Sequence, residues 1–266
     1  MKNKLPFLFR CLIFILFPAL IISCTNKSSE NEAWIGLFNG TNLDGWDIKI
    51  NKHILNDNYN NTFLVRDSSL VINYSEYDTF NQEFGHIFYK QAFSSYKLRL
   101  EYRFIRQQVK GGPQWAFKNS GVMFHSQSAG SMLVEQPFPV SIEAQLLGGS
   151  EEGVRHTGNV CTPGTHIVMD DKLVTEHCIS SSSETYRGEE WIHAELIVLG
   201  DSIIYHIIEG DTVLRYSNPQ IGGDLPQGFP LPQGTPLKEG FIALQAESHP
   251  VEFRRIKLLD LSEKKK

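Results

Sequence analysis

The sequence lacks a helical period, a stripe of basic residues, an internal repeat and a nucleophile elbow. Beyond the N-terminal segment, no window of about eleven residues keeps apolar positions at helical spacing, which argues against a helical fold. The 25 basic and 30 acidic residues are dispersed, which argues against nucleic acid as a partner. The missing elbow excludes a serine hydrolase of the α/β-hydrolase type. Neither a repeat nor a linker divides the chain, so we expect one domain.

The N-terminal segment has the composition of a bacterial lipoprotein signal peptide. Three basic residues precede an apolar run that ends in Ser23-Cys24, and this run is too short for a comfortable membrane span. A small residue before Cys is typical of the site where lipoproteins are cut and acylated. We predict a signal peptide over 1–23, a polar tether over 24–32 lipidated at Cys24, and one domain over 33–262. The alternative is an ordinary signal peptide with an incidental cysteine.

This leader predicts a protein attached by lipid to a bacterial membrane, in the periplasm or at the cell surface. In such an oxidising compartment the remaining pair, Cys161 and Cys178, is most simply a disulfide. It would close a loop of about 17 residues and stabilise the fold by about 3 kcal/mol. His166 and His177 lie in the same loop and leave a zinc site open as the alternative, although their spacing matches no familiar zinc motif.

Apolar and polar residues alternate along most of the chain. From Tyr96 to Phe104 every second residue is apolar, and the intervening residues are charged. From Val140 to Leu146 the same alternation brings Glu143 and Gln145 to a polar face. Short strands and frequent Gly turns predict an all-β, antiparallel β-sandwich of the jelly-roll type. Further strands are predicted at Phe63–Ile72, Gly85–Tyr89, Gly121–His125, Trp191–Leu199, Ile203–Ile208, Thr212–Tyr216, Phe241–Ala246 and Val251–Leu259.

Six separated segments carry a family resemblance, and together they span nearly all of the predicted domain. They are Trp34–Trp46, Gly85–Arg103, Asn119–Phe124, Ile142–Leu146, Gly240–Gln245 and Pro250–Arg254. They resemble the 3-keto-disaccharide hydrolase domain family, and residues 155–166 are similar to its cysteine-containing subgroup. The resemblance implies a sandwich of the concanavalin A-like lectin/glucanase type. It also implies a carbohydrate partner, a glycoside whose C3 hydroxyl has been oxidised to a ketone.

The sequence departs from the family pattern at two places. The family commonly has Arg where this chain has His125. It often has Asp-His-Gly where this chain has Ala246-Glu247-Ser248. If the usual His serves chemistry, Glu247 or His249 must replace it here.

A C3 ketone changes how a glycosidic bond can break, because it acidifies the proton on C2. A base removes that proton, the enolate expels the C1 substituent, and water addition completes a net hydrolysis. Such a β-elimination needs a base, an acid for the leaving oxygen and a donor or positive group at the enolate. The reaction is therefore that of a hydrolase or lyase acting on 3-keto sugars.

Glu101 and Glu143 are the predicted base and acid, because each lies on the polar face of a predicted strand. They would converge if both strands belonged to one sheet. Arg103 and Gln145 lie two residues further on the same faces and are predicted to bind substrate. The alternative is a solvated sheet surface on which basic neighbours neutralise Glu101.

Histidines form a second set of candidates. His166 is predicted to be catalytic, and a disulfide would bring it near His156. His125, His156, Asn119 and Glu247 are predicted to bind substrate. The same histidines leave a divalent metal open as a cofactor that polarises the ketone, with its ligands unknown.

Other functions remain as alternatives. A two-carboxylate glycosidase is disfavoured, because the chain lacks the closely spaced acidic strand motif that sandwich glucanases carry. The principal alternative is a non-catalytic glycan-binding lipoprotein, because lectins use the same sandwich. A structural role in an assembly is the third.

Overall fold

The computed structural model describes residues 33–262, which form a β-sandwich. The predicted signal peptide, Cys24 and most of the tether lie outside the described residues. In chain order the strands are β1 (Ile35–Gly36), β2 (Trp46–Ile50), β3 (Phe63–Arg66), β4 (Ser69–Ile72), β5 (Gly85–Tyr89), β6 (Ser95–Phe104), β7 (Asn119–Ser126), β8 (Ile142–Leu147), β9 (Asn159–Cys161), β10 (Thr165–Met169), β11 (Lys172–Val174), β12 (Cys178–Ile179), β13 (Ile192–Leu199), β14 (Ile203–Ile208), β15 (Asp211–Ile221), β16 (Phe241–Ala246) and β17 (Val251–Asp260).

The strands form two antiparallel sheets. One has ten strands in the order β11-β10-β15-β14-β13-β6-β17-β4-β3, with β1 paired to β17. The other has seven strands in the order β12-β9-β8-β7-β16-β5-β2. Neighbours in space are often distant in sequence, so the sandwich closes by long crossovers. The predicted all-β sandwich of the concanavalin A-like lectin/glucanase type is confirmed.

Helical structure in the described part of the chain is limited to short 3-10 turns at Tyr59–Asn61, Gln114–Ala116 and Ala129–Ser131. Among residues 33–262, no helix is long and apolar enough to cross a membrane.

The core lies between the sheets and follows the predicted alternation. Tyr96, Leu98 and Leu100 on β6 face Val122 on β7 and Ala144 on β8 in one apolar cluster. The intervening residues of each strand therefore lie on the outer face of their sheet. This alternation fixes which face a polar residue occupies.

One predicted strand is two strands in the structure. The segment Phe63–Ile72 forms the hairpin β3–β4, in which Val65 pairs with Leu70. Asp67 and Ser68 make the turn with φ of 50° and 57°. Two consecutive left-handed residues are typical of a tight hairpin turn, and Asp and Ser tolerate that geometry without a glycine signal.

Candidate functional site

A row of polar residues crosses the outer face of the seven-stranded sheet. The strand registers pair Asn159 with Gln145 and Gln145 with Gly121. They also pair Gln245 with His86, and His86 with Lys49. Gly121 and Gln245 lie next to the Val122–Leu244 pair, so the two halves join into one row. Uncharged and charged polar groups thus line up from β9 to β2, on the face away from the core.

A pair of carboxyl groups lies beside this row. Glu143 belongs to β8 and Glu247 directly follows β16, and both are buried. The Glu143 side chain lies across Gly121, where an added β-carbon would overlap the carboxylate. Continuing the β7–β16 register three residues beyond the Val122–Leu244 pair places Asn119 opposite Glu247. Glycine at position 121 therefore makes room for one of the two acids.

Both acids hold their protons more tightly than ordinary glutamates. Burial raises the pKa of Glu143 to about 8. Burial also raises the pKa of Glu247 well above its usual range, the charge of Glu143 raises it further, and Arg155 acts in the opposite direction. A buried pair that first loses one proton and keeps the other contains both a base and an acid.

Arg155 fixes the surroundings of Glu247. Its guanidinium donates to the backbone carbonyls of Phe117, Lys118 and Gly148, and the bond to Gly148 is 2.7 Å long. Burial lowers the pKa of Arg155, while Glu247 raises it. The guanidinium therefore ties the ends of β7 and β8 together and places positive charge near the carboxyl pair.

His86 and Gln245 supply buried polar groups without internal partners. Within residues 33–262, neither ring nitrogen of His86 and neither side-chain atom of the Gln245 amide has a hydrogen-bond partner. Both residues are fully buried. Burial lowers the pKa of His86 to about 3, and Lys49 lowers it further, so the imidazole is neutral near pH 7. Buried groups that make no internal hydrogen bond are rare in folded proteins and indicate a ligand site.

The backbone after β16 is held in a strained conformation. Ser248 has a φ of 89°, a region that non-glycine residues seldom occupy. Its backbone N–H donates to the Tyr74 hydroxyl at 2.7 Å, and its hydroxyl oxygen accepts from the Gln108 amide at 2.8 Å. These contacts hold the turn that carries Glu247. Strain of this kind is concentrated at functional sites.

Aromatic side chains border the polar row. Phe138 lies 5.0 Å from Phe84 and 6.1 Å from His86 between ring centroids. Trp115 stacks on Phe84 at 5.7 Å between ring centroids and is 53% exposed. A half-exposed Trp provides a flat apolar surface on which a sugar ring can pack.

Four predicted residues lie together at this face: Glu143, Gln145, Asn119 and Glu247. Gln145 accepts a hydrogen bond from Asn159 at 3.0 Å. The other predicted residues lie outside this group.

Glu101 does not converge with Glu143, because the two residues lie on different sheets. Glu101 is on the outer face of the ten-stranded sheet, where Arg254 and Arg255 donate to its two oxygens at 2.6 and 2.7 Å. A bulge in β17, with Arg255 at a φ of 52°, turns both arginines to the same face. Desolvation acts to raise the pKa of Glu101, but the two hydrogen bonds outweigh it and the pKa is lowered. The expectation that Glu101 and Glu143 share a site was wrong.

Arg103 lies with Glu101 on the ten-stranded sheet and not at the carboxyl pair. It donates to Glu252 at 2.8 Å, and its guanidinium lies 4.5 Å from the ring centroid of Trp191. Arg103 therefore belongs to a surface network of ion pairs and cation–π contacts. Its predicted placement beside substrate is not compatible with a site on the other sheet.

The predicted histidines are separated from one another. His125 ends β7, with Nε2 bonded to the Gly200 carbonyl at 3.0 Å. His156 donates from Nδ1 to the Ser183 carbonyl. His166, on β10, lines a cleft of about 660 Å³. None of the three is paired in register with the carboxyl groups. His125 lies on β7 two residues beyond Met123, which is the register partner of Glu143, and His156 lies outside the strands. His166 is on β10, which belongs to the other sheet.

The predicted disulfide between Cys161 and Cys178 is present and joins β9 to β12. Cys161 pairs in register with Glu143. Among residues 33–262, no three His, Cys, Asp or Glu side chains come together as a set that could hold a metal ion.

Sequence reasoning missed His86, Gln245 and Arg155 as members of the site. The alternation in β5 already separates Ile87, which is in the core, from His86 on the opposite face. The alternation along β5 could therefore have identified His86 from the sequence. Arg155 lies in an irregular segment, and no local pattern relates it to Glu247.

Comparison with known proteins identifies one family. The model of the 3-keto-alpha-glucoside-1,2-lyase-like domain matches residues 33–259. No curated protein matches the chain. Two solved structures from Parabacteroides distasonis, each named provisionally as a glycosyl hydrolase, share the fold. One has 18% identity and a TM-score of 0.54, covering 87% of this chain and 95% of its own. The second has 21% identity and a TM-score of 0.51, covering 86% and 100%.

Proposed function

Because this chain belongs to the family of 3-keto-alpha-glucoside-1,2-lyase-like domains, we propose that it cleaves 3-keto glycosides by β-elimination. Membership of this family connects the chain to carbohydrate chemistry. The residues along the polar row support the specific reaction. The observation that carries the proposal is the buried pair Glu143 and Glu247, which lies beside the unpartnered His86 and Gln245 on one face of one sheet.

Glu143 is assigned as the base. Burial raises its pKa to about 8, and the negative charge of ionised Glu143 raises the pKa of Glu247 beyond the effect of burial. Glu143 therefore ionises while Glu247 keeps its proton. Its carboxylate takes the C2 proton, and the electron pair of that C–H bond forms an enolate whose charge lies on the C3 oxygen. A base with a pKa near the working pH is effective for this step.

His86 and Gln245 are assigned to the enolate oxygen. A neutral imidazole and a primary amide can each donate one N–H to this oxygen without becoming charged. Donors that lie in a buried site and need no reorientation stabilise developing negative charge more strongly than water does. This assignment also supplies partners for polar groups that make no hydrogen bond within the described residues.

Glu247 is assigned as the acid. When the C3 ketone re-forms, a double bond forms between C1 and C2 and the C1–O bond breaks. Glu247 then gives its proton to the leaving oxygen. The sugar product is an unsaturated ketone. Addition of water, hydroxyl to C1 and hydrogen to C2, gives the free 3-keto sugar and completes a net hydrolysis. Glu143 and Glu247 thus perform the two proton transfers of the elimination.

The test is turnover of matched substrates by the full-length protein in deuterated water. We expect cleavage of 3-keto glycosides, no cleavage of the unoxidised parent glycosides, and deuterium at C2 of the product. Glu143→Gln should abolish cleavage, whereas Glu101→Gln, the same substitution on the other sheet, should leave kcat unchanged. Failure to cleave any 3-keto glycoside, together with saturable binding of the parent glycans, would establish the glycan-binding alternative.

We also propose that the protein is attached to a bacterial membrane through lipid at Cys24, in the periplasm or at the cell surface. Support comes from the basic residues, the apolar run and Ser23-Cys24 in the sequence. Labelled fatty acid should be incorporated into the wild-type chain and not into Cys24→Ala. Equal labelling of both would contradict the anchor.

A further inference from the structure

Trp115 lies at the end of the carboxyl face that carries Glu247. Continuing the β5–β16 register by one residue places Phe84 opposite Glu247. Phe84 and His86 share the outer face of the sheet, because Phe138 packs against both rings. The indole of Trp115 stacks on Phe84 with an angle of 23° between the ring planes. Trp115 is therefore next to the row of the proposed acid and is joined to it through one aromatic ring.

Two further features hold Trp115 at this end of the face. Arg155 donates from Nη2 to the backbone carbonyl of Trp115 at 3.2 Å. The same guanidinium favours the ionised form of Glu247, so the two groups lie near each other. The 3-10 turn Gln114–Ala116 also comes just before β7, which begins at Asn119. A hydrogen bond and the short chain connection thus fix the indole relative to the acid.

The proposed elimination sets the direction of the substrate along this face. The C3 oxygen lies at His86 and Gln245, and Glu247 gives its proton to the leaving oxygen. Glu247 and Phe84 are each two residues further along their strands, which is about 7 Å. The leaving oxygen is thus displaced from the ketone toward Phe84, and the group attached to it extends toward Trp115.

Asn119 adds a hydrogen-bond acceptor at the same end. Its side chain is buried, and within the described residues its Oδ1 atom has no hydrogen-bond partner. The β7–β16 register places it opposite Glu247, beside the leaving oxygen. A buried acceptor that makes no internal hydrogen bond indicates a donor on the ligand. A hydroxyl group supplies such a donor.

We propose that Trp115 and Asn119 bind the leaving group of the substrate, and that this group is a sugar. The C–H face of its ring packs on the indole, and one of its hydroxyls donates to Asn119 Oδ1. The inference rests on the proposed elimination, which fixes where the leaving oxygen lies. A leaving group without a ring, such as methanol, makes neither contact. Trp115 therefore determines how strongly the protein prefers one leaving group over another.

The experiment compares 3-keto-maltose, with the ketone in its non-reducing ring, and methyl 3-keto-α-glucoside. The two substrates share the 3-keto sugar and differ only in the leaving group. Trp115→Ala should lower kcat/KM for the disaccharide roughly tenfold, the loss expected for one apolar contact, and leave kcat/KM for the methyl glycoside unchanged. Trp115→Phe keeps a flat ring and should keep most of the activity. Equal losses for both substrates in Trp115→Ala would overturn the assignment while the elimination stands.

The matched control is Trp34→Ala. Trp34 is also partly exposed, and it packs against Arg99 on the other sheet. The control variant should cleave both substrates like the wild-type protein. A loss specific to the disaccharide in both tryptophan variants would contradict a role that is particular to Trp115.

A calorimetric titration with maltose, which carries no ketone, separates this inference from the elimination. Weaker binding by Trp115→Ala than by the wild-type protein and Trp34→Ala supports the assignment even if no 3-keto substrate is cleaved. Equal binding by all three proteins would overturn it, whether or not cleavage is seen. Absence of maltose binding together with absence of cleavage would overturn both proposals.

Phenyl glucoside tests the role of Asn119, because its leaving group has a ring and no hydroxyl. Asn119→Ala should weaken the binding of maltose and leave the binding of phenyl glucoside unchanged, with thermal unfolding as the check that the variant is folded. Equal weakening for both ligands would show that Asn119 contacts the other sugar and would overturn the choice of a sugar as the leaving group.

Discussion

Glu143 lies across the α-carbon of Gly121, in the space that a side chain at position 121 would occupy. The two residues are on neighbouring strands β7 and β8, offset by two positions in register. The glycine thereby allows a buried carboxyl group to lie flat over the sheet, toward the row that contains Gln245 and His86. Position 121 is thus coupled to the position of the proposed base although it has no functional group.

Gly121→Ala is expected to displace the Glu143 carboxylate and lower kcat/KM for 3-keto glycosides by roughly tenfold or more, because about 1.4 kcal/mol of lost transition-state stabilisation gives that factor. The cost in folding free energy should be about 1–3 kcal/mol from overpacking. Steady-state kinetics and denaturant unfolding measure both. Gly130→Ala is the control, because its nearest neighbour is 3.9 Å from the added carbon. Equal kinetics of the two variants would contradict the coupling.

The rate should rise with pH. Glu143 must be ionised to take the C2 proton, and burial raises its pKa to about 8. We therefore expect kcat/KM to increase from pH 6, reach half its maximum near pH 8 and level off above that pH, since this parameter reports groups of the free enzyme. At still higher pH the rate should fall as Glu247 loses its proton. A rate that decreases between about pH 6 and pH 8 would exclude Glu143 as the base.

Glu143→Gln should make the protein more stable at alkaline pH while it abolishes activity. Because the folded-state pKa is raised, the native state binds the proton more tightly than the unfolded state does. Glu143 therefore costs stability increasingly as pH rises from the ordinary glutamate range toward about 8. A neutral amide removes that cost. Thermal unfolding should show a higher Tm for the variant at pH 8, by roughly 2–4 °C for each kcal/mol, and little difference at acid pH.

Glu101→Gln should lower the stability of the protein at neutral pH, in contrast to Glu143→Gln. Hydrogen bonds from Arg254 and Arg255 outweigh desolvation and lower the pKa of Glu101. Its contribution to stability is therefore present above the ordinary glutamate pKa and is lost as pH falls through the lowered value. We expect about 1–3 kcal/mol of destabilisation near pH 7, reduced by the exposure of the arginines. Denaturant unfolding at neutral pH measures it, and unchanged stability would contradict the role.

The disulfide should stabilise the edge of the seven-stranded sheet. Replacing both cysteines, Cys161→Ser with Cys178→Ser, should lower the free energy of unfolding by about 3 kcal/mol, the value expected for a loop of this length. The 17-residue separation places β10 and β11 inside the loop. Reductant should reproduce the loss in the wild-type protein and have no effect on the double variant. A similar effect of reductant on both would indicate another cause.

The alternation of apolar and polar residues correctly predicted which face of a strand is polar. It did not predict to which sheet each strand belongs. On β8 it brought Glu143 and Gln145 to an outer face, and on β6 it did the same for Glu101 and Arg103. Neither segment contains a sequence pattern that indicates which strand pairs with it. Glu101 was grouped with Glu143 because both showed the same pattern, and β6 and β8 belong to different sheets.

The sequence by itself determined most of the long strands, the polar faces of β6 and β8, the favoured disulfide and the family resemblance, whereas it predicted neither β1 and β2 nor the short strands β9 to β12. The features that it determined follow from local spacing, from the number of cysteines and from matching segments. Only the tertiary structure decided that Glu143 lies by Glu247, that His86 and Gln245 face them, and that Glu101 is held by arginines on the other side. The physical reason is that side-chain direction repeats every two residues along a strand, whereas strand neighbours are chosen by packing. This packing pairs β16 with β5 and β7, which lie more than a hundred residues before it in the chain.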